Sequence, residues 1–179
     1  MPYNLSVTSF TDDLETTINA PTGGAFQTAP VAGYGGRQRV ITGNFEVATT
    51  DLDANDIIVL ARLPAQSIVS SIKLSSDALD EGSSLTFDVG IYDENQAVLA
   101  LDVFATDSTI FQSATAAPGT EMRYENSSNA DTHGDRLWEL GSVANDPGGV
   151  MYDIAITFVV AAATAAALTL GYEIFYTID

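Results

Sequence analysis

His133 is the one histidine available for acid–base chemistry, and it lies in the loop-like sequence ADTHGD. A Ser-His-Asp triad would have to use this residue, but the chain lacks the G-x-S-x-G sequence that exposes a nucleophilic serine at a strand-to-helix turn. A single histidine also excludes a metal site with several histidine ligands. We therefore interpret His133 as a solvated loop residue, and the sequence predicts no enzymatic activity and no catalytic residue.

Asp51, Asp53 and Asn55 lie at alternate positions, as do the first ligands of an EF-hand calcium loop. The match then fails, because the sixth position is Asp56 where the loop requires glycine and the twelfth is Arg62 where it requires glutamate. A polar turn between strands is the better interpretation. A looser cation site formed by surface acids stays open, and no resident metal or cofactor is predicted.

Adjacent acids occur at three further places, Asp12–Asp13, Asp80–Glu81 and Asp93–Glu94. A glycosidase needs two carboxyl groups about 5–9 Å apart beside a sugar cleft, and neighbours in a turn do not supply that geometry. We interpret these pairs as solubilising loops. The glycine-rich residues 33–36 lack the Lys-Ser/Thr pair of a phosphate-binding loop.

Charge and composition exclude several classes of partner and of chemistry. The 179 residues include six Lys and Arg against 24 Asp and Glu, which gives a net charge of −18, and there is no cysteine. Such a surface repels phosphate, so binding to nucleic acid is not expected. The absence of cysteine excludes thiol catalysis and Cys-ligated metal. The first residues lack a basic region followed by an apolar one, so no signal peptide is predicted.

The strongest structural signal is period-two alternation near the C-terminus. Apolar residues occupy one parity over residues 150–160 and again over residues 168–178: Val150, Tyr152, Ile154, Ile156, Phe158, Val160, Leu168, Leu170, Tyr172, Ile174, Tyr176 and Ile178. Such alternation is typical of strands with one buried face. We predict a hairpin of two core strands joined by the alanine-rich residues 161–167. The uncharged residues 154–172 are long enough to span a membrane, but the flanking Asp153 and Glu173 and the alternation favour the hairpin.

Shorter alternating segments separated by turn residues precede this pair. We predict core strands at residues 38–48, 56–63, 68–75 and 84–93, with Leu85, Phe87, Val89 and Ile91 inward and Thr86, Asp88, Gly90 and Tyr92 outward. Residues 96–105 form either a strand or one helical turn, residues 109–113 and 136–140 form short strands, and residues 117–129 form a loop. Seven to nine short strands with little helix predict an all-β, single-domain antiparallel β-sandwich.

Residues 1–36 differ in character, with little periodicity, three prolines and two glycine pairs. We predict an extended N-terminal arm over residues 1–36 and the sandwich domain over residues 37–179. A frayed terminus is the alternative for the arm. The functional hypothesis is that the arm ties onto a neighbouring subunit, with the proposed interface formed by Tyr3, Phe10, Phe26, Tyr34, Arg37 and Arg39. Arg37 and Arg39 would pair with an acidic neighbour, including a second copy of this chain, or serve only solubility.

Three segments resemble a family of small virion proteins of tailed phages. They are IIVLARLPAQSIVSSIKLSSDAL, LTFDVGIYD and the final AAATAAALTLGYEIFYTID. The shared features are a strand ending in L-P-A, a strand with I-x-x-I-x-L, the sequence L-x-x-D-V-G-x-Y-D, and a last strand closing on Y-x-x-D, here Tyr176 and Asp179. The resemblance covers residues 38–93 and 150–179, about half of the chain.

The resemblance implies a jelly-roll-like sandwich that decorates or cements the exterior of the capsid. It further implies the major capsid protein as partner and a homo-oligomer, with a trimer favoured. The alternative function is a jelly-roll carbohydrate-binding or adhesin module of a phage fibre or cell surface, in which exposed Tyr92, Tyr124 or Trp138 would stack on sugars.

Overall fold

The computed structural model describes residues 37–125 and 132–178, which form eight strands and very little helix. The strands are β1 (Arg37–Val47), β2 (Ile57–Pro64), β3 (Ile68–Ser76), β4 (Thr86–Tyr92), β5 (Val98–Ser108), β6 (Thr115–Glu121), β7 (Met151–Val160) and β8 (Leu168–Ile178). One short α-helix, α1 (Leu137–Leu140), and two 3-10 turns, Thr49–Asp51 and Ile110–Gln112, complete the elements. The predicted all-β class and strand number are confirmed.

Two four-stranded antiparallel sheets form the sandwich, with the strand orders β1-β8-β3-β6 and β2-β7-β4-β5. The pairing is nested: β1 pairs with β8, β2 with β7, β3 with β6 and β4 with β5. This is the arrangement of a long hairpin rolled up on itself, which is the jelly roll. The predicted jelly-roll-like sandwich is therefore confirmed, and the strand order itself establishes it.

The core lies between the sheets and consists of the residues that the alternation places inward. Leu170 and Ile174 of β8 and Ile154 and Ile156 of β7 are completely buried. Aromatic rings pack beside them, since Phe87 of β4 stacks on Phe111 with the ring centroids 4.2 Å apart. The two strongest periodic segments therefore contribute to one apolar layer between the sheets.

The predicted C-terminal hairpin is wrong, because β7 and β8 belong to different sheets. The connecting residues cross between the sheets, and their backbone N–H groups bond to loops: Ala162 donates to Leu52 and Ala166 to Leu79. Each of the two strands is flanked on both sides by strands from earlier in the chain. Strong alternation thus marks two central strands and does not show that they pair with each other.

The inward positions of β4 belong to the core as predicted, but the outward positions Asp88, Gly90 and Tyr92 are buried as well and do not reach solvent. Strand β5 carries extra residues here, since Val89 pairs with Ala105 while Ile91 pairs with Ala100. The carbonyl oxygens of Ala100 and Leu101 consequently lie over Gly90, where a Cβ would overlap them. The irregularity of β5 covers a face that the alternation assigns to solvent.

Three shorter segments differ from the prediction. Residues 136–140 form α1, whose Leu137 and Leu140 are buried at helical spacing. The predicted strand at residues 109–113 is a 3-10 turn, and the predicted loop at 117–129 begins with β6. Strand β6 has threonine as its only β-former and contains Pro118, which an edge strand tolerates. Residues 96–105 lie mostly in β5, one of the two predicted alternatives.

The uncharged residues 154–172 form most of β7, the crossing segment and the start of β8. Over residues 37–125 and 132–178, no helix has the length and hydropathy that a membrane crossing requires.

Candidate protein interface

Strands β1 and β2 are edge strands of their sheets and lie on the same side of the sandwich. Large apolar side chains around this side remain in contact with solvent. Val40 is 53% exposed, Phe45 40%, Ile57 44% and Val59 45%. We call β1, β2 and these four side chains the open edge. Apolar surface gathered at an edge of a sheet marks a site of contact with other protein.

A cavity of about 200 Å³ opens between the two strands, and we call it the edge pocket. Its apolar wall is formed by Phe45, Ile57 and Ile58, and its polar wall includes the carboxylates of Asp51 and Asp56. Because one pocket carries both an apolar wall and two acids, it suits a side chain with an aliphatic stem and a positive end.

Asp51 was one of the calcium candidates and Asp56 the position at which that match fails, and the structure gives both carboxylates a local role. Asp51 Oδ2 accepts a hydrogen bond from the N–H of Ala48 at 2.9 Å, and Asp56 Oδ2 accepts one from the N–H of Asp53 at 3.0 Å. Asn55 has a φ of 74°, which a tight turn requires. The interpretation as a polar turn therefore has a geometric basis. Among the described residues no group of three or more His, Asp or Glu side chains is placed to hold a metal ion.

Arg37 and Arg39 begin β1 and are exposed. Arg37 is paired in register with Ile178 and Arg39 with Tyr176, so both share the parity of Phe45, which is paired with Leu170. In the part of the chain that the structure describes, the one salt bridge joins Arg62 to Asp153, and neither arginine of β1 forms one. The other proposed interface residues, Tyr3, Phe10, Phe26 and Tyr34, lie outside the described residues and stay predictions, as does the boundary of the arm.

The opposite side of the sandwich has β5 and β6 as its edge strands and contains a buried cation, and we call it the closed side. Arg123 follows β6 and is completely buried. Its Nε donates to the carbonyl of Val69 at 3.2 Å and its Nη2 to that of Thr132 at 2.9 Å. The guanidinium also lies over the rings of Phe104 and Tyr124, at 5.3 and 5.2 Å from their centroids. Burial lowers the pKa of Arg123 from its ordinary value.

His133 belongs to this closed side. The ring is exposed, as predicted, but Nδ1 lies 2.7 Å from the hydroxyl oxygen of Tyr124, which also donates to the carbonyl of Ser70 at 3.3 Å. Within 37–125 and 132–178 no serine hydroxyl and no carboxylate is hydrogen-bonded to the ring. The arrangement anchors a loop on β3 and lacks the nucleophile that a triad requires. The sequence did not indicate the contact between Tyr124 and His133, because it forms only in the folded chain.

Glu121 fastens the same side. One oxygen of its carboxylate accepts hydrogen bonds from the N–H groups of Ile72 at 2.8 Å and Arg123 at 2.9 Å, and the other accepts one from the hydroxyl of Ser71. Charge-assisted bonds of this kind are stronger than neutral ones. The edge strand β6 is thereby tied to β3 at the point where it ends.

The interpretation of the acid pairs as solubilising is wrong for Asp80, and Asp12–Asp13 lies outside the described residues. Asp80 is buried and accepts hydrogen bonds from the N–H groups of Gly82, Ser84, Leu85 and Thr164, at 2.7 to 2.8 Å. These bonds hold the pKa of Asp80 well below its usual range although burial alone would raise it. Asp80 therefore joins the β3–β4 loop to the segment that crosses between the sheets.

Three aromatic residues were candidates for sugar stacking, and the prediction that Tyr92 is exposed is wrong. Tyr92 is buried on the outer face of its sheet, and its hydroxyl bonds to Thr157. Trp138 is half-buried in α1, and Tyr124 is engaged with Arg123 and His133.

Two solved structures have the fold of this chain. One is from the cyanophage Pam1 capsid asymmetric unit, with 22% identity and a TM-score of 0.53, covering 87% of this chain and 94% of that one. The other is from the capsid of Ralstonia phage GP4, with 20% identity and a TM-score of 0.55, covering 86% of this chain and 92% of that one. At these identities the likeness establishes the shared fold. No family model and no curated protein sequence matches the chain.

Proposed function

We propose that this protein is a structural virion protein that decorates or cements the capsid of a tailed phage. The observation that carries the proposal is the fold, since chains of two phage capsids share it over almost their whole length. The described residues support it, because their buried polar groups and hydrogen bonds serve loops and edges, as Asp80, Glu121 and Arg123 illustrate.

The net charge of −18 favours the capsid exterior, because the interior of a filled head carries densely packed phosphate. The jelly roll supplies a rigid body, and the arm residues Tyr3, Phe10, Phe26 and Tyr34 supply apolar contacts to the major capsid protein across capsomer boundaries. A protein that binds the assembled shell more tightly than free subunits stabilises the shell by linkage. No catalytic role enters this mechanism.

The experiment compares heated phage particles with and without this protein and measures DNA release. We expect particles that lack the protein to release DNA at a lower temperature, and adding back the full chain to restore the original temperature. Equal heat resistance of the two particles would contradict the cementing role.

A variant lacking residues 1–36 is the matched control for the arm. It should fold, because the strands of both sheets lie outside that segment, and it should fail to restore heat resistance. Quantitative mass spectrometry of the particle tests the location. Hundreds of copies are expected for a head surface, whereas a handful would indicate a tail or portal component.

A further inference from the structure

Among the described residues four strands lie at sheet edges, and three of these strands carry features that discourage pairing with another chain. Strand β2 shifts register between Val59 and Ala61 and ends at Pro64, β5 is irregular along its pairing with β4, and β6 contains Pro118. Bulges, prolines and broken registers are the common protections of an edge. These three edges are therefore unsuited to extending a sheet.

Strand β1 has no proline and no shift of register, and of the common protections of an edge it carries only charged side chains, Arg37, Arg39 and Glu46. It pairs with β8 over eleven consecutive residues. Within the described part of the chain no strand lies on its other side. At about 3.3 Å per residue, it offers some 35 Å of backbone for hydrogen bonding.

The charges along β1 select the direction of a partner strand. The strand begins with Arg37 and Arg39 and leads through Glu46 to Asp51. Two copies of β1 that pair in antiparallel orientation bring the basic end of each to the acidic end of the other. A parallel pair would set arginine against arginine and acid against acid, which is unfavourable.

The face of the sheet on which each residue lies further restricts which residues of the two β1 strands can pair. Residues directly opposite in an antiparallel pair share a face of the sheet. When the two-fold axis passes through Thr42, Arg39 of one copy lies opposite Phe45 of the other. Phe45 lines the edge pocket together with Asp51 and Asp56, so the guanidinium reaches an aromatic ring and two carboxylates.

The geometry points to a second copy of this chain as the partner of β1. The two copies pair antiparallel about a two-fold axis near Thr42, join two four-stranded sheets into one of eight strands, and place Arg39 of each copy in the edge pocket of the other. This pairing gives Arg39 a partner and does not depend on the capsid role. A monomer in solution would leave that role intact, and failure to bind particles would leave the pairing intact.

The absence of cysteine from the chain permits a clean test of the axis. In an antiparallel pair the Cα atoms of opposite residues are about 4.5–5.5 Å apart, which a disulfide spans. The full-length Thr42→Cys variant should form a covalent dimer under mild oxidation. Gln38→Cys, four residues from the axis on the same face, should not. Equal cross-linking of both variants, or of neither, would overturn the proposal.

The charge pairing is tested by sedimentation equilibrium. Arg39→Glu should raise the dissociation constant of the dimer at least tenfold. Arg39→Glu lowers the net charge by two. The control variant, Asn95→Glu with Val98→Glu, lowers it by the same amount far from β1 and should change the dissociation constant less than threefold. Thermal unfolding verifies that each variant is folded. A monomeric or trimeric wild-type protein, or equal effects of the two variants, would contradict the pairing.

Discussion

The two sides of the sandwich differ in how their edge strands are protected from pairing with another chain. On the closed side, β5 and β6 are irregular, and Arg123 and Glu121 bind backbone groups of the neighbouring strand and loop. At the open edge, β1 keeps a single register along its whole pairing with β8, and its arginines form no salt bridge among the described residues. Hydrogen bonds within the chain therefore hold the edge strands β5 and β6 in place, whereas the edge strand β1 remains available to a partner.

The largest expected effect tests the core that both edges share. Leu170→Asp should lower the free energy of unfolding by about 4 kcal/mol or more, because it places an unpaired charge in a completely buried position. Thr169→Asp, on the other face of β8, should cost at most about 1 kcal/mol. Urea denaturation measures both. Similar losses would show that the assigned faces are wrong.

The second prediction compares a glycine near each edge. Gly90→Ala should cost about 3 kcal/mol, because its Cβ would overlap backbone carbonyls of β5 that cannot move separately. Gly43→Ala at the open edge should cost about 1 kcal/mol, because its Cβ would meet only the outer end of the Tyr172 ring, at 2.5 to 2.9 Å, and that side chain can turn away. Denaturation midpoints give the ranking, and a reversed order would contradict the close cover of Gly90 by the backbone of β5.

The third prediction compares two arginines. Arg123→Met should lower the free energy of unfolding by about 2 kcal/mol, because it removes, at a completely buried position, the hydrogen bonds that Arg123 donates to the carbonyls of Val69 and Thr132. Arg39→Met should change it by less than about 0.5 kcal/mol, since Arg39 is exposed. The comparison is made well below the concentration at which copies associate. A large loss for Arg39→Met there would assign it a role within the monomer.

The smallest effect concerns pH on the closed side. Burial raises the pKa of Glu125, and a hydrogen bond from Ser108 offsets only part of this rise. The folded state therefore holds the proton more tightly than the unfolded state. Stability from this group is complete below the unfolded pKa of about 4.3 and is lost as the pH rises through the folded pKa.

The variant Glu125→Gln should remove that part of the pH dependence. Stability curves between pH 4 and pH 8, measured by urea denaturation at each pH, should be flatter for this variant than for the wild type, by less than about 1 kcal/mol. Curves that coincide would show that Glu125 is solvated in the folded protein.

Much of the fold could be predicted, because β7 and β8 each bury one face and alternation reports burial directly. Their partners could not be predicted, since the pattern of a strand does not record which strand lies beside it. The closed side was missed for a related reason. Arg123, Tyr124 and His133 have no informative spacing, and they meet only after β6 and the following loop fold against β3.

The open edge was partly foreseen. Arg37 and Arg39 stand out in a chain with few cations, and the structure places both on an exposed edge strand. The edge pocket was not foreseen, because its walls come from two strands of different sheets and the turn after β1. The short helix α1 was mistaken for a strand although Leu137 and Leu140 carry helical spacing, since four residues are too few to separate the two periods.

The nested pairing has a consequence for biosynthesis. Residues of β1 and their partners in β8 are between 121 and 141 positions apart in the chain. At a typical 5–20 residues per second, a ribosome delivers β8 roughly ten seconds after β1. Throughout that interval β1 is a nascent strand with neither side occupied, and two chains on neighbouring ribosomes have the opportunity to join before either is finished.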